Sequence, residues 1–182
     1  TTTVKYGTGA MEFDGTGDGL VLPRTDLLEL DGGDFTIEFW FYLNSQSTDN
    51  VFISNYQDAS NGYVMRIAFG QLRTHLSGNG DDITASPTIS TSTWYHFALS
   101  GSPGSIKQFL NGVQQGPTYT GATAMNSTGI TTVGMSTSYG SPINGYLDDL
   151  RITKGIARYT ANFTPPTAEF IGSADYTTVE EI

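Results

Sequence analysis

One segment restricts the fold of this chain more than any other. In Phe35-Thr-Ile-Glu-Phe-Trp-Phe-Tyr-Leu43, apolar residues fall at every second position. Phe35, Ile37, Phe39, Phe41 and Leu43 point one way, and Thr36, Glu38, Trp40 and Tyr42 the other. Side chains alternate between the faces of an extended strand, whereas a helix would scatter this set around its circumference. The segment therefore reads as a strand with one face in a core. Tyr63, Met65, Ile67 and Phe69 alternate in the same way with Val64, Arg66 and Ala68. So do Tyr95, Phe97 and Leu99 with Trp94, His96 and Ala98. Further strands are expected at 10–14, 19–23, 50–56, 72–77, 106–110, 113–116, 130–135 and 145–153. Asn111-Gly112 separates two of them and supplies the pair of positive φ angles that a tight type I′ hairpin needs. Only Asp26 to Leu30 offers a turn of helix.

About eleven short strands at this spacing indicate a sandwich or jelly roll. The expected fold is an all-β, two-sheet antiparallel jelly roll. A length of 182 residues suits one domain. Pro165-Pro166 stops the last regular segment. Residues 1–170 read as the domain, and 171–182 as an acidic tail or linker. The chain starts at Thr1, which reads as a removed methionine or as part of something larger. It has no cysteine and so no disulfide framework. No apolar run approaches the roughly 18 residues that span a bilayer, so no membrane insertion is expected. Eight basic residues face 18 acidic ones, for a net charge of −10. The eight are scattered singly, which argues against nucleic acid as a partner, because phosphate backbones are bound by clustered Lys and Arg.

Five segments in order carry a resemblance. They are Met11-Glu-Phe-Asp-Gly-Thr-Gly-Asp-Gly-Leu-Val-Leu22, Phe35-Thr-Ile-Glu-Phe-Trp-Phe41, Trp94-Tyr-His-Phe-Ala-Leu99, Phe109-Leu-Asn-Gly112 and Gly145-Tyr-Leu-Asp-Asp-Leu-Arg-Ile152. Together they resemble the laminin-G-like domains of the concanavalin A-like lectin/glucanase superfamily over about residues 8 to 170. The ending Ile152 to Thr167 is similar to the one found on such domains in bacteriophage structural proteins. The fold serves lectins, glycosidases, adhesion modules and viral structural proteins, so function must be read from sites.

Glucanases of the superfamily carry glutamates in a Glu-x-Asp-x-x-Glu pattern, and a retaining mechanism needs two carboxylates about 5–5.5 Å apart. None of the six glutamates here has carboxylates two and five residues on, and Glu38 stands alone on its strand face. Asp81-Asp82 lies in a Gly-Asn-Gly loop, and the two imidazoles, His75 and His96, belong to no metal-spaced cluster. No Gly-x-Ser-x-Gly elbow is present. The chain is read as a binding protein, not an enzyme.

The resemblance implies a structural calcium whose ligand aligns with Asp148, with Asp14 and Asp18 as N-terminal candidates. The Asp14-Gly-Thr-Gly-Asp18 loop suits calcium, which takes carboxylate and carbonyl oxygens together. The alternative is that Asp14 and Asp18 cap turns while Asp148 or Asp149 pairs with Arg151 or Arg24. Four residues of the faces opposite the core are candidates for sugar binding: Trp40, Tyr42, Trp94 and His96. An aromatic ring covers the apolar face of a pyranose while polar neighbours take its hydroxyls. Burial of Trp40 and Trp94 beneath long loops, or a subunit interface, would use the same residues. Asn126 and Asn162 each begin a glycosylation sequon, a pattern short enough to arise by chance in a Thr-rich chain.

The expected function is a structural or adhesive module of a virion, a capsid decoration or tail fibre domain with glycan recognition. Its partners would be other virion subunits or a cell-surface glycan, and its natural state a closed homo-oligomer. The alternative is a secreted bacterial carbohydrate-binding module appended to a larger enzyme or adhesin.

Overall fold

The computed structural model describes residues 3–24, 28–30, 32–57, 61–76, 82–121, 129–137 and 141–170. Asp26 of the expected helical turn, Asp81, Asn126 and the acidic tail after Phe170 lie outside the described residues. The described residues contain strands and no helix.

A six-stranded antiparallel sheet is built from β1 (Met11–Asp14), β3 (Phe35–Ser45), β8 (Trp94–Ser102), β9 (Ser105–Leu110), β10 (Val113–Tyr119) and β13 (Asn144–Lys154). Its order is β1-β13-β3-β8-β9-β10. The second sheet takes β2 (Leu20–Leu22), β4 (Asp49–Ser54), β5 (Val64–Ala68), β6 (Gln71–His75), β7 (Ile83–Ala85), β11 (Thr131–Val133) and β12 (Ser141–Pro142). It runs β2-β11-β4-β5-β6-β7 and counts seven strands, because β12 lies parallel to β4 beyond the end of β11. The strands β7 and β12, three and two residues long, are those for which the sequence pattern gave no warning.

The core lies between the sheets, where the alternation placed it. Phe35, Ile37, Phe39, Phe41 and Leu43 meet Phe97 and Leu99 from β8 and Phe52, Ile53, Met65, Ile67 and Leu72 from the other sheet. Phe39 stacks on Phe97 at 5.1 Å and tilts against Phe52 at 5.4 Å. Phe69 departs from its expected inward place. It is 71 % exposed, and with Gly70 it forms the turn between β5 and β6, at φ 53° and 73°. Asn111-Gly112 takes the expected positive pair, 50° and 77°, between Leu110 and its partner Val113.

The other face of β3 does not face water. Thr36, Glu38 and Trp40 are as buried as the core. Two segments distant in sequence cover them. The chain after β13 crosses β3, β8 and β9, donating Arg158 N–H to Thr36 Oγ1 and Tyr159 N–H to Ser100 Oγ. It continues to the hairpin turn, where Phe163 N–H donates to the Gly112 carbonyl. The N-terminal Lys5-Tyr6 covers the neighbouring surface, and the Tyr6 hydroxyl donates to the Pro166 carbonyl, joining the two covers.

Candidate functional site

Strand register decides which side chains on this outer face can act together. Glu12 of β1 stands opposite Tyr146 of β13, Tyr146 opposite Tyr42 of β3, and Tyr42 opposite Trp94 of β8. Directly opposed residues share a face and touch, so the four form one row across four strands. Tyr42 lies 5.5 Å from Trp94 and 5.8 Å from Tyr146, between ring centroids. The Tyr146 hydroxyl donates to Glu12 Oε1 at 3.0 Å. All three rings are half-buried and Glu12 is exposed, so each ring is braced by its neighbours yet presents surface. Beside the row, the exposed Asn44 donates its amide to Asn144 Oδ1 at 3.1 Å.

The next row along the same face is Asp148, Trp40 and His96. It is closed. Trp40 is 6 % exposed, with Lys5 Nζ 4.0 Å above its ring, Tyr6 edge-on at 5.8 Å and His96 at 5.1 Å. His96 is fully buried and also packs against Phe163 and Tyr159. The structure therefore splits the four expected sugar-binding residues. Tyr42 and Trp94 reach the surface together, whereas Trp40 and His96 lie beneath the terminal segments and offer a ligand nothing. Tyr146 is the member that the sequence reading missed, and only its register with Tyr42 reveals it.

A bulge in β13 sets the third row. Asp148 pairs with Trp40 and Arg151 with Glu38, so two residues of β13 oppose Phe39 alone. Asp149 adopts φ 49° there, and Asp148 and Arg151 emerge on one face. Glu38 Oε1 accepts from Arg151 Nε at 2.9 Å and Nη2 at 2.7 Å, and Oε2 accepts from the Tyr159 hydroxyl at 2.8 Å. His96 Nε2 lies 3.3 Å from Oε2. Burial pushes the Glu38 carboxyl up, but His96, Arg151 and Tyr159 outweigh it and hold it below the ordinary glutamate range. Burial and the Glu38 charge raise Tyr159 above the ordinary phenol range. Glu38 is thus surrounded by donors that fix it as a carboxylate, the reverse of what a general acid requires.

The three aspartates expected to bind calcium are not gathered. Asp148 Oδ2 accepts the Lys5 and Tyr6 amides at 2.8 and 3.1 Å, and Oδ1 accepts the Asp149 amide at 2.8 Å. Asp14 pairs with Asn144, four residues from Asp148 along β13, a separation of about 13 Å at strand rise. Asp14 Oδ1 accepts the Thr16 amide and hydroxyl, and Asp18 Oδ2 accepts the Asp14 amide. The Thr16 contacts lower the Asp14 pKa. These are turn-capping roles, and the donor set does not fit one ion held by all three. Among the described residues, no cluster of three His, Asp or Glu side chains has the arrangement of a metal site.

The comparisons agree with this architecture. The model of a laminin-G family, described as the Concanavalin A-like lectin/glucanases superfamily, matches residues 14–157. Among curated proteins, no relative of the sequence is found. One similar solved structure is domain 4 of AbnA, a GH43 extracellular arabinanase from Geobacillus stearothermophilus, in complex with arabinotriose. It is 20 % identical with a TM-score of 0.58, over 82 % of this chain and 77 % of that one. Domains LG4-5 of the mouse laminin alpha1 chain are 17 % identical with a TM-score of 0.61, over 79 % and 40 %. Botulinum neurotoxin type C, whose cell entry is described as dependent upon interaction with two ganglioside molecules, is 16 % identical with a TM-score of 0.56, over 80 % and 37 %. The chain spans about two fifths of the laminin and neurotoxin chains. At these identities the likeness is one of fold.

Proposed function

This chain belongs to the laminin-G-like domains of the concanavalin A-like lectin/glucanases superfamily, and on that premise we propose that it is a non-catalytic glycan-binding module. The observation that carries the proposal is the row Trp94–Tyr42–Tyr146–Glu12. It presents three braced aromatic rings, a carboxylate and the nearby Asn44 and Asn144 amides. Rings that keep their geometry without a ligand lose little side-chain entropy on binding one. The arabinotriose complex and the ganglioside dependence of two similar proteins support the choice of sugar over protein as ligand. The non-catalytic reading is supported by Glu38, the one buried glutamate among the described residues, which is occupied by Arg151 and Tyr159.

The module works on a surface open to glycans, either the outside of a virion or an extracellular protein in which it is one domain. Oligomeric state separates the two, because particle components form closed symmetric oligomers and an appended module is monomeric. The site itself is tested by a glycan array and calorimetry on hits. Trp94→Ala and Tyr42→Ala are each expected to weaken binding by about tenfold or more, equivalent to ~1.4 kcal/mol. No hydrolysis product should appear on long incubation. A blank array, or release of reducing sugar abolished by Glu38→Gln, overturns the reading.

A further inference from the structure

We propose that this site selects neutral glycans and rejects sialylated, sulfated and uronate-bearing ones, an inference that rests on the glycan-binding reading above. Recognition of a carboxylated or sulfated sugar calls for a cation, above all an arginine fork. The chain has eight basic residues, and every one lies among the described residues and has a partner within the chain. Arg24 pairs with Glu29, Arg66 with Asp49 and Arg151 with Glu38. Arg73 donates to Gln71, Arg158 to Thr153 and Lys107 to the Thr160 carbonyl. Lys5 lies on Trp40, and Lys154 also has a partner.

None of the eight stands in the row; Lys5, whose ammonium is taken up by the Trp40 ring, stands one row away. The row's only charge is Glu12, and the end of β1 and the turn that follows it add Asp14 and Asp18. A ligand anion seated on Tyr42 and Trp94 would therefore meet like charge. Glu12 stands two strands from Tyr42 and three from Trp94, about 10 and 14 Å, so its repulsion is felt at low salt and is largely screened at physiological salt. No cation in the row would repay the desolvation of a sulfate or carboxylate. Neutral hydroxyls meet the opposite case. A carboxylate accepts at several lone pairs beyond the one the Tyr146 hydroxyl uses, and a side-chain amide both donates and accepts.

The test presents the full chain with matched pairs of one oligosaccharide core, with and without a terminal sialic acid, sulfate or uronate. Hits are then titrated at low and high sodium chloride. The neutral member is expected to bind with an affinity independent of salt and to be lost in Trp94→Ala. The anionic member is expected to bind at least about tenfold more weakly at low salt, and to recover in Glu12→Gln. Equal or tighter binding of the anionic member overturns the selectivity while leaving the glycan-binding reading in place. Binding that survives both Trp94→Ala and Tyr42→Ala puts the site elsewhere and overturns the selectivity argued from this row. Silence from every pair overturns the glycan-binding reading itself.

Discussion

Arg151 directs Nε and Nη2 at a single oxygen of Glu38, at 2.9 and 2.7 Å, while the other oxygen takes the Tyr159 hydroxyl at 2.8 Å. Three parts of the chain meet on this carboxylate: the outer face of β3, the bulge of β13 and the segment that follows β13. The guanidinium is held from its other side by Phe170, whose ring centroid is 3.8 Å away. Removing one partner of such a buried pair leaves an uncompensated charge, at a typical cost of about 3–5 kcal/mol. Arg151→Leu is expected to fall in that range by denaturant melts. Glu38→Gln, which keeps the shape and the Tyr159 bond, should cost less. A loss under about 1 kcal/mol for Arg151→Leu would show that the pair does not hold the outer face.

The same carboxylate gives an acid limb to stability. The contacts of Glu38 set its folded pKa below the unfolded value of about 4.3. Its contribution is then complete above that value and is lost as pH falls through the folded pKa. Asp149 works in the opposite sense. Burial raises its pKa, so its contribution is present at low pH and is lost as pH rises through the folded value. The whole-protein curve mixes the two, and the comparison that isolates Glu38 is wild type against Glu38→Gln. The gap between their melting temperatures is expected to be constant from pH 7 to about 5 and to close below about pH 4. A gap that widens on acidification contradicts the assignment.

The two tryptophans are expected to separate cleanly. Trp40→Ala should cost about 3–5 kcal/mol, as Phe39→Ala should, because both open a cavity in packed surroundings. Trp94 is half-buried, and Trp94→Ala should cost about 1 kcal/mol. In Trp40→Phe the remaining emission should be quenched readily by acrylamide, and in Trp94→Phe it should be blue-shifted and protected. Equal quenching in the two variants would mean that Lys5-Tyr6 does not cover Trp40 in solution.

The inner half of this protein is legible from local pattern, and the outer half is not. Alternation from Phe35 to Leu43 identifies the core face, because the period of a strand is written in consecutive residues. What lies over Trp40 and His96 comes from Lys5, Tyr6, Tyr159 and Phe163, tens of residues away in either direction, and no periodicity records it. The polar Thr36 and Glu38 therefore look solvent-facing, although Ser100, Arg151 and Tyr159 satisfy them in the interior. The bulge misleads in another way. Asp148 and Arg151 are three apart, which in a regular strand puts them on opposite faces. Tyr42 and Trp94 were recognisable as aromatic residues facing away from the core, but Tyr146 and Glu12 join them only through register.

Asp148 is expected to matter for the N-terminal segment and not for a metal. Its carboxylate accepts three backbone amides, those of Lys5, Tyr6 and Asp149. Hydrogen bonds to a charged group contribute about 1.5–3 kcal/mol each. The three amides lie partly exposed and rehydrate once the carboxylate is gone, so Asp148→Ala should lose less than the sum, about 2–4 kcal/mol, and expose Trp40 to quencher. EDTA should leave the wild-type melting temperature unchanged. If EDTA lowers it in the wild type and not in Asp148→Ala, the carboxylate binds calcium and the arrangement of its amides must differ from the one described.

The segment after β13 is anchored at the hairpin turn, and a matched pair of glycines tests that contact. Gly70 and Gly112 each take the second position of a two-residue turn, at φ 73° and 77°. A side chain at either position meets the same backbone penalty, about 1–2 kcal/mol. Their surroundings differ. A Cβ on Gly70 would meet nothing within 4 Å, whereas on Gly112 it would fall 1.9 Å from the Phe163 carbonyl oxygen and 3.1 Å from Pro165. Gly70→Ala therefore measures the turn alone, and Gly112→Ala the turn plus displacement of the segment. The displaced segment carries Tyr159, whose hydroxyl binds Glu38, and Phe163, which packs on His96. Gly112→Ala is expected to cost at least about 1 kcal/mol more than Gly70→Ala. It should also speed hydrogen exchange at the Tyr159 and Phe163 amides while leaving the β5–β6 hairpin as protected as before. Equal losses in the two variants would mean that the turn carries no load from the segment, and that Arg151 and Ser100 hold it without help from Gly112.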